Sequence, residues 1–293
     1  MNKNFNYEDS FMGVFTDISL KKEEHLAKTD YRFFALKDFI KVKKGIFLDI
    51  GCGGGSFTQT VASYYPKAKL YGCDISRKAI FYANKMSGGK VKYAVIKNNK
   101  LPYKDNFFDV CVCLDVVEHV PDCNFFLSEI SRVLKKHGLC YFAIPCEGQT
   151  GTLTAFFQKI KFGDQLTNKF FGHIHPEFTH QVVSNLLVAN NFQITHTLYS
   201  SHLLSQILQF FQYFLPKILL ELVLGAKRAD RYADKTIIAG TSAKNKNDPF
   251  MLLRLIWLKL IEVSSKISFL ELLLFKKMSF TSLKVLILAK NNK

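Results

Sequence analysis

Short apolar runs alternate with amphipathic stretches from residue 46 to residue 198. Ile46-Phe47-Leu48-Asp49-Ile50 reads as a buried strand, cut short by Gly51-Cys52-Gly53-Gly54-Gly55. A helix is predicted from about Ser56 to just before Pro66, because the residue ahead of a proline is pushed out of helical geometry. Residues 70–74 form a second strand, and Ser76 caps a helix reaching about Met86. Strands follow at 91–96 and 108–114. A helix at about 124–136 carries Phe126, Leu127, Ile130, Val133 and Leu134 on one face, and a fifth strand at 139–144 ends at Pro145. Residues 146–176 read as a loop or lid with short helical pieces. Thr179 then caps a helix with Val182, Val183, Leu186 and Leu187, and residues 192–198 make a sixth strand.

Strand–helix units of this length bury both faces of a parallel sheet. The predicted fold is therefore α/β, a Rossmann-like, doubly wound and mostly parallel seven-stranded sheet with helices on both faces. Upstream, Leu26, Phe33, Phe34, Leu36 and Phe39 recur at near-helical spacing within residues 17–44 and predict one or two amphipathic helices. After Ser201 the alternation stops. Two long apolar stretches, 203–224 and 250–275, flank a polar segment rich in Lys, Asn and Asp. The chain then closes on Leu283-Lys284-Val285-Leu286-Ile287-Leu288-Ala289, a good strand. The expected organisation is an N-terminal helical segment at 1–44 and a cofactor-binding domain at 45–200. A hydrophobic, basic helical insertion follows at 201–282, with the last strand and tail at 283–293. Taking Thr236-Ile237-Ile238-Ala239-Gly240 as the seventh strand instead would make the second apolar stretch a C-terminal tail.

Charge sharpens the reading of that insertion. Net charge is +16, and from Ser201 to the end 15 Lys and Arg stand against 6 Asp and Glu. Such an excess attracts phosphate-bearing partners. Here the basic residues sit among runs of Leu, Ile and Phe, which favours an anionic membrane surface over nucleic acid. Lys217 and Glu221 interrupt the first stretch, and Pro216 should kink it. Arg254, Lys259, Glu262, Lys266 and Glu271 interrupt the second. Neither fits the roughly 20 uncharged residues of a membrane-spanning helix. Lys259, Glu262 and Lys266 share a helical face, which suits a helix lying in the membrane interface with Trp257 as an anchor; packing over the sheet or at a dimer interface is the alternative. Seven cysteines without repeated CxxC spacing argue against a disulfide framework or a structural zinc site. Cys111 and Cys113 are expected as buried small hydrophobes. The N-terminal residues carry no apolar run, so the expected location is cytoplasmic, peripheral on the inner face of the membrane.

The candidate chemistry begins at the glycine cluster. Glycines directly after a strand let a ligand approach the backbone, and the helix behind them presents N–H groups. Asp49, two residues before Gly51, stands where a carboxylate can hold an amino group. Asp74 ends the second strand, where a ribose-hydroxyl acceptor is usual. Nicotinamide enzymes share the second acid but not usually the first.

The segment Phe47-Leu48-Asp49-Ile50-Gly51-Cys52-Gly53-Gly54-Gly55 resembles the first motif of class I S-adenosylmethionine-dependent methyltransferases. Leu101-Pro102-Tyr103, Phe107-Phe108-Asp109-Val110 and Asp115-Val116-Val117-Glu118-His119-Val120 are similar to the ubiquinone- and menaquinone-methyltransferase-like branch. Glu129-Ile130-Ser131-Arg132-Val133-Leu134-Lys135 with Gly138, and then His173 to Thr179, extend the likeness over roughly residues 40–200. The resemblance implies that Asp49 and the loop of Gly51, Cys52, Gly53 and Gly55 hold the methionine end of S-adenosylmethionine. It implies that Asp74 accepts both ribose hydroxyls, that Ile75 packs on adenine, and that Leu114 and Asp115 line the sulfonium side. One departure is Lys97, where the branch commonly has an acid for the adenine amino group; the amide oxygen of Asn98 is the substitute named here. Another is His137-Gly138 in place of a Gly-Gly turn.

The sulfonium carries its own reactivity, so the protein supplies positioning and, for a hydroxyl acceptor, a base. His173, His175 and His119 are the candidates. His173-x-His175 has metal-ligand spacing, but the neighbouring sequence completes no ligand set, so no metal is expected. The function expected is methyl transfer to oxygen or carbon of a hydrophobic or lipid-linked small molecule at the cytoplasmic membrane face. A soluble metabolite or sugar methyltransferase, and a non-catalytic cofactor-binding membrane-associated protein, are the alternatives.

Overall fold

A computed structural model describes residues 30–159, 172–211 and 251–293. Helix α1 (Tyr31–Phe39) leads into strand β1 (Lys44–Ile50). Then come α2 (Ser56–Tyr64), β2 (Lys67–Asp74), α3 (Arg77–Ser87), β3 (Val91–Val95) and β4 (Phe108–Leu114). A single 3-10 turn (Val117–His119) precedes α4 (Cys123–Val133) and β5 (Leu134–Pro145). The rest is α5 (Leu153–Lys159), α6 (His180–Ala189), β6 (Phe192–Ser200), α7 (Leu203–Gln209), α8 (Met251–Phe275) and β7 (Lys284–Asn291). The strands form one seven-stranded sheet in the order β3-β2-β1-β4-β5-β7-β6. Neighbours from β3 to β5 pair in parallel, whereas β7 runs antiparallel to both β5 and β6.

Alternation along each strand sorts side chains to opposite faces. Leu48, Cys111, Cys113 and Phe142 join Phe126, Leu127, Ile130 and Val133 of α4 and Val183 and Leu187 of α6 in one core. Phe47, Val110, Val112 and Tyr141 join Phe33 and Leu36 of α1, Val61 of α2 and Leu272 of α8 in the other. The mostly parallel sheet covered on both faces is thus observed. All seven cysteines are buried and none is in a disulfide.

Some boundaries differ from expectation. The helix placed at 124–136 stops at Val133, and β5 starts at Leu134 rather than 139. The reason is His137, which takes a positive φ of 62°: the His-Gly pair bends the strand instead of ending the helix. The seventh strand is the C-terminal run, with Leu286↔Ala143 and Leu286↔Leu198 in register. Residues 236–240, the other reading of that strand, lie outside the described residues, as do residues 1–29 and Pro216. The second apolar stretch is one helix of 25 residues, on which Lys259 and Lys266 are exposed; the side chains of Trp257 and Glu262 lie outside the description. Among the described residues no helix is long and apolar enough to cross a membrane.

The chain between β6 and β7 leaves and re-enters the sheet through a narrow neck. The Ser282 hydroxyl accepts the Ser200 N–H at 3.0 Å and lies 2.8 Å from the Ser200 carbonyl. The Leu283 N–H donates to Ser201 at 3.1 Å. Beyond the neck, the residue capping α7, His202, offers no side-chain cap. Buried Glu271 of α8 takes that place, accepting the Leu204 and Ser205 N–H groups at 3.0 and 3.3 Å. Unsatisfied first-turn donors of a buried helix need such a partner, so Glu271 ties α7 to α8.

Candidate active site

The glycine loop lies between the end of β1 and the start of α2. Gly51, Gly53 and Gly55 have φ of 72°, 52° and 86°, the left-handed region that costs other residues about 1–2 kcal/mol. Gly51 needs its hydrogen for a second reason, since a Cβ there would meet Val116 Cγ2 at 2.3 Å. The Gly51 and Cys52 N–H groups both donate to the Cys73 carbonyl, at 2.8 and 3.0 Å, which folds the loop toward the end of β2. There Asp74 accepts from Gly53 N at 2.9 Å with one oxygen and from Ser76 N at 2.9 Å with the other. The next residue, Ile75, is 46% exposed, an apolar side chain on the rim as a packing surface requires.

Asp49 lies beneath the loop, 6% exposed, and accepts from Thr58 Oγ1 of α2 at 2.6 Å. Burial pushes its carboxyl up to about 7, against the opposing Thr58 hydrogen bond. A carboxylate held in that condition is completed by a ligand cation, which is what an α-ammonium group offers. Asn98 and Asn99 take positive φ of 52° and 56° in a tight turn closed by Lys100 N on the Lys97 carbonyl at 3.0 Å, and Asn98 is exposed. A hollow of about 680 Å³ opens here, lined by Val95, Lys97, Lys100, Leu101, Pro102 and Tyr103.

Beyond β4 the polar groups converge. Asp115, at φ 54°, receives Arg32 from α1 at 2.9 Å and Lys284 from the start of β7 at 2.5 Å. Burial alone would raise its carboxyl; Lys284 and Arg32 outweigh that and hold it well below the usual range. Arg32 also lies over the Phe57 ring in the first turn of α2, 5.9 Å from its centroid. It thus stands as a guanidinium at the mouth of the glycine loop. Leu114 is half-buried beside this network.

Three residues on, Glu118 is 1% exposed, and neither of its carboxylate oxygens has a hydrogen-bond partner. Burial pushes its carboxyl well above the usual range. The Nε2 atoms of His119 and His173 each stand 3.8 Å from Glu118 Oε1, and the two rings meet edge to face at 4.9 Å. His119 Nδ1 donates to the Gly172 carbonyl at 3.1 Å, while His173 Nδ1 pairs with Glu147 at the end of β5. Burial and the neighbouring His173 push His119 down to about 4. In His173 burial works the same way, but the Glu147 pairing overrides it and raises the imidazole.

Of the three candidate histidines, two therefore meet and one does not. His175 turns to Cys123, with Nε2 3.3 Å from the thiol and 2.9 Å from the Val120 carbonyl, and its Nδ1 faces Glu177 at 2.9 Å. The Cys123 thiol, the Val120 carbonyl and Glu177 together raise it to about 9. The company of His173 is thus Glu118 and His119, not His175. Arg32, Lys284, Glu118 and Glu147 escaped the sequence reading. Glu118 was discoverable as a charged residue directly after the apolar pair Val116-Val117 beyond β4, and Lys284 as the lone charge entering the last strand. Arg32 and Glu147 carry no such mark.

A parallel sheet with a glycine loop after its first strand and acids at the ends of the first two defines a nucleotide-binding α/β domain whose chemistry sits at the carboxyl edge. Residues 48–142 match the family described as "Methyltransferase domain". The chain is 38% identical over 99 residues to a ubiquinone biosynthesis O-methyltransferase of Rhizobium rhizogenes, covering 33% of this chain and 39% of that protein. It is 30% identical over 154 residues to the Rhizobium johnstonii enzyme of the same name, covering 50% and 60%. The chain spans about half the length of the curated relatives it matches. In fold it is similar to phosphoethanolamine N-methyltransferase 2 of Haemonchus contortus in complex with S-adenosylmethionine (TM-score 0.53, 18% identity, 89% of this chain and 52% of that one). The matched segment is a methyltransferase domain, similar in sequence to the ubiquinone biosynthesis O-methyltransferases.

Proposed function

We propose that this chain transfers a methyl group from S-adenosylmethionine to a hydroxyl oxygen of a hydrophobic or lipid-linked small molecule at a membrane face. The observation that carries the reading is the shared strand edge. Asp49 and Asp74 end β1 and β2, and the acid–imidazole cluster of Glu118, His119 and His173 follows β4 on that same edge. In this reading Asp74 holds the ribose hydroxyls and Asp49 faces the ammonium group. Arg32 faces the methionine carboxylate, and the sulfonium supplies the electrophilic methyl carbon. The chain's own work is then positioning and proton management. Glu147 fixes the His173 tautomer with Nδ1 as donor, so Nε2 is the atom that takes the proton of an acceptor hydroxyl.

The apolar character of the acceptor rests on the surface beside the neck. Leu203 and Leu204 of α7, Leu270 and Leu274 of α8, and Phe280 of the return loop are all exposed, and Lys277, between α8 and Phe280 in the chain, is exposed as well. Exposed apolar side chains with a cation near them in sequence are what resting on anionic lipid requires. The relatives' names, ubiquinone biosynthesis O-methyltransferases, fit an isoprenoid-bearing phenol as acceptor. The test is transfer of labelled methyl from S-adenosylmethionine into cell extract separated into lipid, polysaccharide, protein and nucleic-acid fractions, with Asp74→Ala as the blank. Label in the lipid fraction, absent with the variant, is expected. Label confined to soluble metabolites or polysaccharide overturns the lipid acceptor, and cofactor binding without any label overturns catalysis.

A further inference from the structure

Six of the seven thiols sit where a thiolate is disfavoured. Cys73, Cys111, Cys113, Cys140 and Cys146 are fully buried, and burial pushes each thiol up. Cys52 is 7% exposed; burial raises it too, and Asp49 and Asp74 push the same way. Cys123 is exposed to the same 7% but keeps the opposite company. It is the first residue of α4, at the positive end of that helix dipole, and His175 Nε2 stands 3.3 Å from its sulfur. Both ring nitrogens of His175 face acceptors, Nδ1 the Glu177 carboxylate and Nε2 the Val120 carbonyl, each at 2.9 Å. A ring with an acceptor on either side carries a proton on each nitrogen, which makes it an imidazolium. The Cys123 thiol contributes most to holding it in that form, up to about 9, against burial. Phe178 lies flat on the ring, with centroids 4.7 Å apart and planes 6° from parallel, so the cation is fixed in place. The Val117 and Val120 carbonyls, 3.5 and 3.3 Å from the sulfur, favour the protonated thiol. A full charge at the same distance outweighs such dipoles. The group runs inward from the surface, with the Glu177 side chain 61% exposed and that of His175 17%.

We propose that Cys123, with His175 and Glu177, is a redox-modification site at which a hydroperoxide converts the thiol to a sulfenic acid and disturbs the stretch that carries His173. A carboxylate orienting an imidazole that touches a nucleophile is the arrangement that activates cysteines. The thiolate attacks one peroxide oxygen and the O–O bond breaks. Sulfur loses two electrons, the peroxide gains them, and the departing hydroxide takes the Nε2 proton and leaves as water. A small thiol reverses the step. Its sulfur bonds to that of Cys123 as water departs, and a second thiol then frees Cys123 by forming the small disulfide. The added oxygen has to fit between two carbonyls and the imidazole, where the stretch after β5 is tied to α4. His173 lies two residues from that tie, and Ile174 between them is held by its N–H on the Glu118 carbonyl at 3.0 Å. Modification does not depend on the methyl-transfer reading; its effect on transfer rests on it.

The test exposes the full reduced chain to hydrogen peroxide, removes the oxidant with catalase, and then denatures the protein in a maleimide. Peptide mass spectrometry then counts the thiols lost while the protein was folded. At neutral pH, where an unperturbed thiol is only a few per cent thiolate, Cys123 is expected to be lost at least about tenfold faster than Cys52. His175→Gln should remove that advantage, and Glu177→Gln should reduce it. Circular dichroism of each variant separates a lost partner from a lost fold. Labelled-methyl transfer should fall after peroxide, recover with dithiothreitol, and be insensitive to peroxide in Cys123→Ser. Equal loss of Cys52 and Cys123, or a Cys123 rate unchanged in folded His175→Gln, overturns the site. Equal peroxide inhibition of the parent and Cys123→Ser overturns its effect on transfer. A peroxide-sensitive Cys123 in a protein giving no methyl transfer at all keeps the site while removing the enzyme reading.

Discussion

Replacing Asp115 with Asn tests whether the network holding β7 to the end of β4 is electrostatic. The substitution keeps size and shape, and Asn accepts the left-handed backbone that Asp115 adopts at φ 54°, so the change isolates the charge. The native carboxylate is held at about 2 against an ordinary 3.8. Two charges lower it, Lys284 at 2.5 Å and Arg32 at 2.9 Å, and a displacement of that size corresponds to about 2.5 kcal/mol of folding free energy. The Asn variant also leaves Lys284 largely buried without its counter-charge, which pushes the loss toward the roughly 3–5 kcal/mol seen when a buried pair is broken from one side. At about 2–4 °C per kcal/mol for a chain near this size, calorimetry at neutral pH should show the melting temperature falling by roughly 5–20 °C. The sign of the pH dependence follows from the lowered carboxyl. Its contribution is complete above the unfolded value near 3.8 and disappears as pH falls through the folded value of about 2. Parent and variant should therefore converge toward about pH 2. In the double variant with Lys284→Met the two losses should fall well short of additive. An Asn variant within about 0.5 kcal/mol of the parent at neutral pH, or a deficit unchanged under acid, would refute the reasoning.

Three further outcomes follow from the geometry. Asp74→Ala removes the acceptor of the Gly53 and Ser76 N–H groups, and S-adenosylmethionine affinity measured by calorimetric titration should drop at least about tenfold, one lost charged hydrogen bond being worth about 1.5–3 kcal/mol. Gly51→Ala sets a methyl 2.3 Å from Val116 Cγ2 at a positive φ; chemical denaturation should show a loss of roughly 2–5 kcal/mol from strain and overpacking together. Glu271→Ala leaves the Leu204 and Ser205 N–H groups without their acceptor, so limited proteolysis should gain cleavage within residues 203–211 while the sheet stays resistant, whereas Glu271→Gln, which can still accept, should resemble the parent.

The sheet was legible because its signals are local. Apolar runs such as residues 46–50 and 108–114 need only the period of a buried strand, and the caps at Ser76 and Thr179 fell where expected because capping is a contact within one turn. The strand at 284–291 was readable for the same reason, although nothing in its sequence says that it inserts between β5 and β6. The site was legible in its first half only. Asp49, Gly51 and Asp74 belong to a short segment with fixed spacing. The second half is assembled from positions far apart in the chain, Arg32, Asp115, Glu147, His173 and Lys284. Long-range pairing is invisible to periodicity, and so His173 was grouped with its sequence neighbour His175 rather than with its spatial neighbour His119. The extension of β5 back to Leu134 was missed because a His-Gly pair reads as a turn when it is a bend within a strand.

The neck at Ser200 and Ser282 gives the chain an unusual freedom. The described residues beyond the neck return to the sheet at one further place, where Leu272 of α8 enters the core beside Phe33 and Leu36 of α1. The entropy of closing a loop rises only by about 0.6 kcal/mol for each doubling of its residues. Chain length between α7 and α8 can therefore change at small thermodynamic cost to the β6–β7 ladder, provided Leu272 keeps its place in the core. Yet the return strand opens with Lys284, which grips Asp115 at the far side of the neck. Length can thus vary between α7 and α8, while the anchors on either side, Leu272 in the core and Lys284 on Asp115, stay wired to the centre.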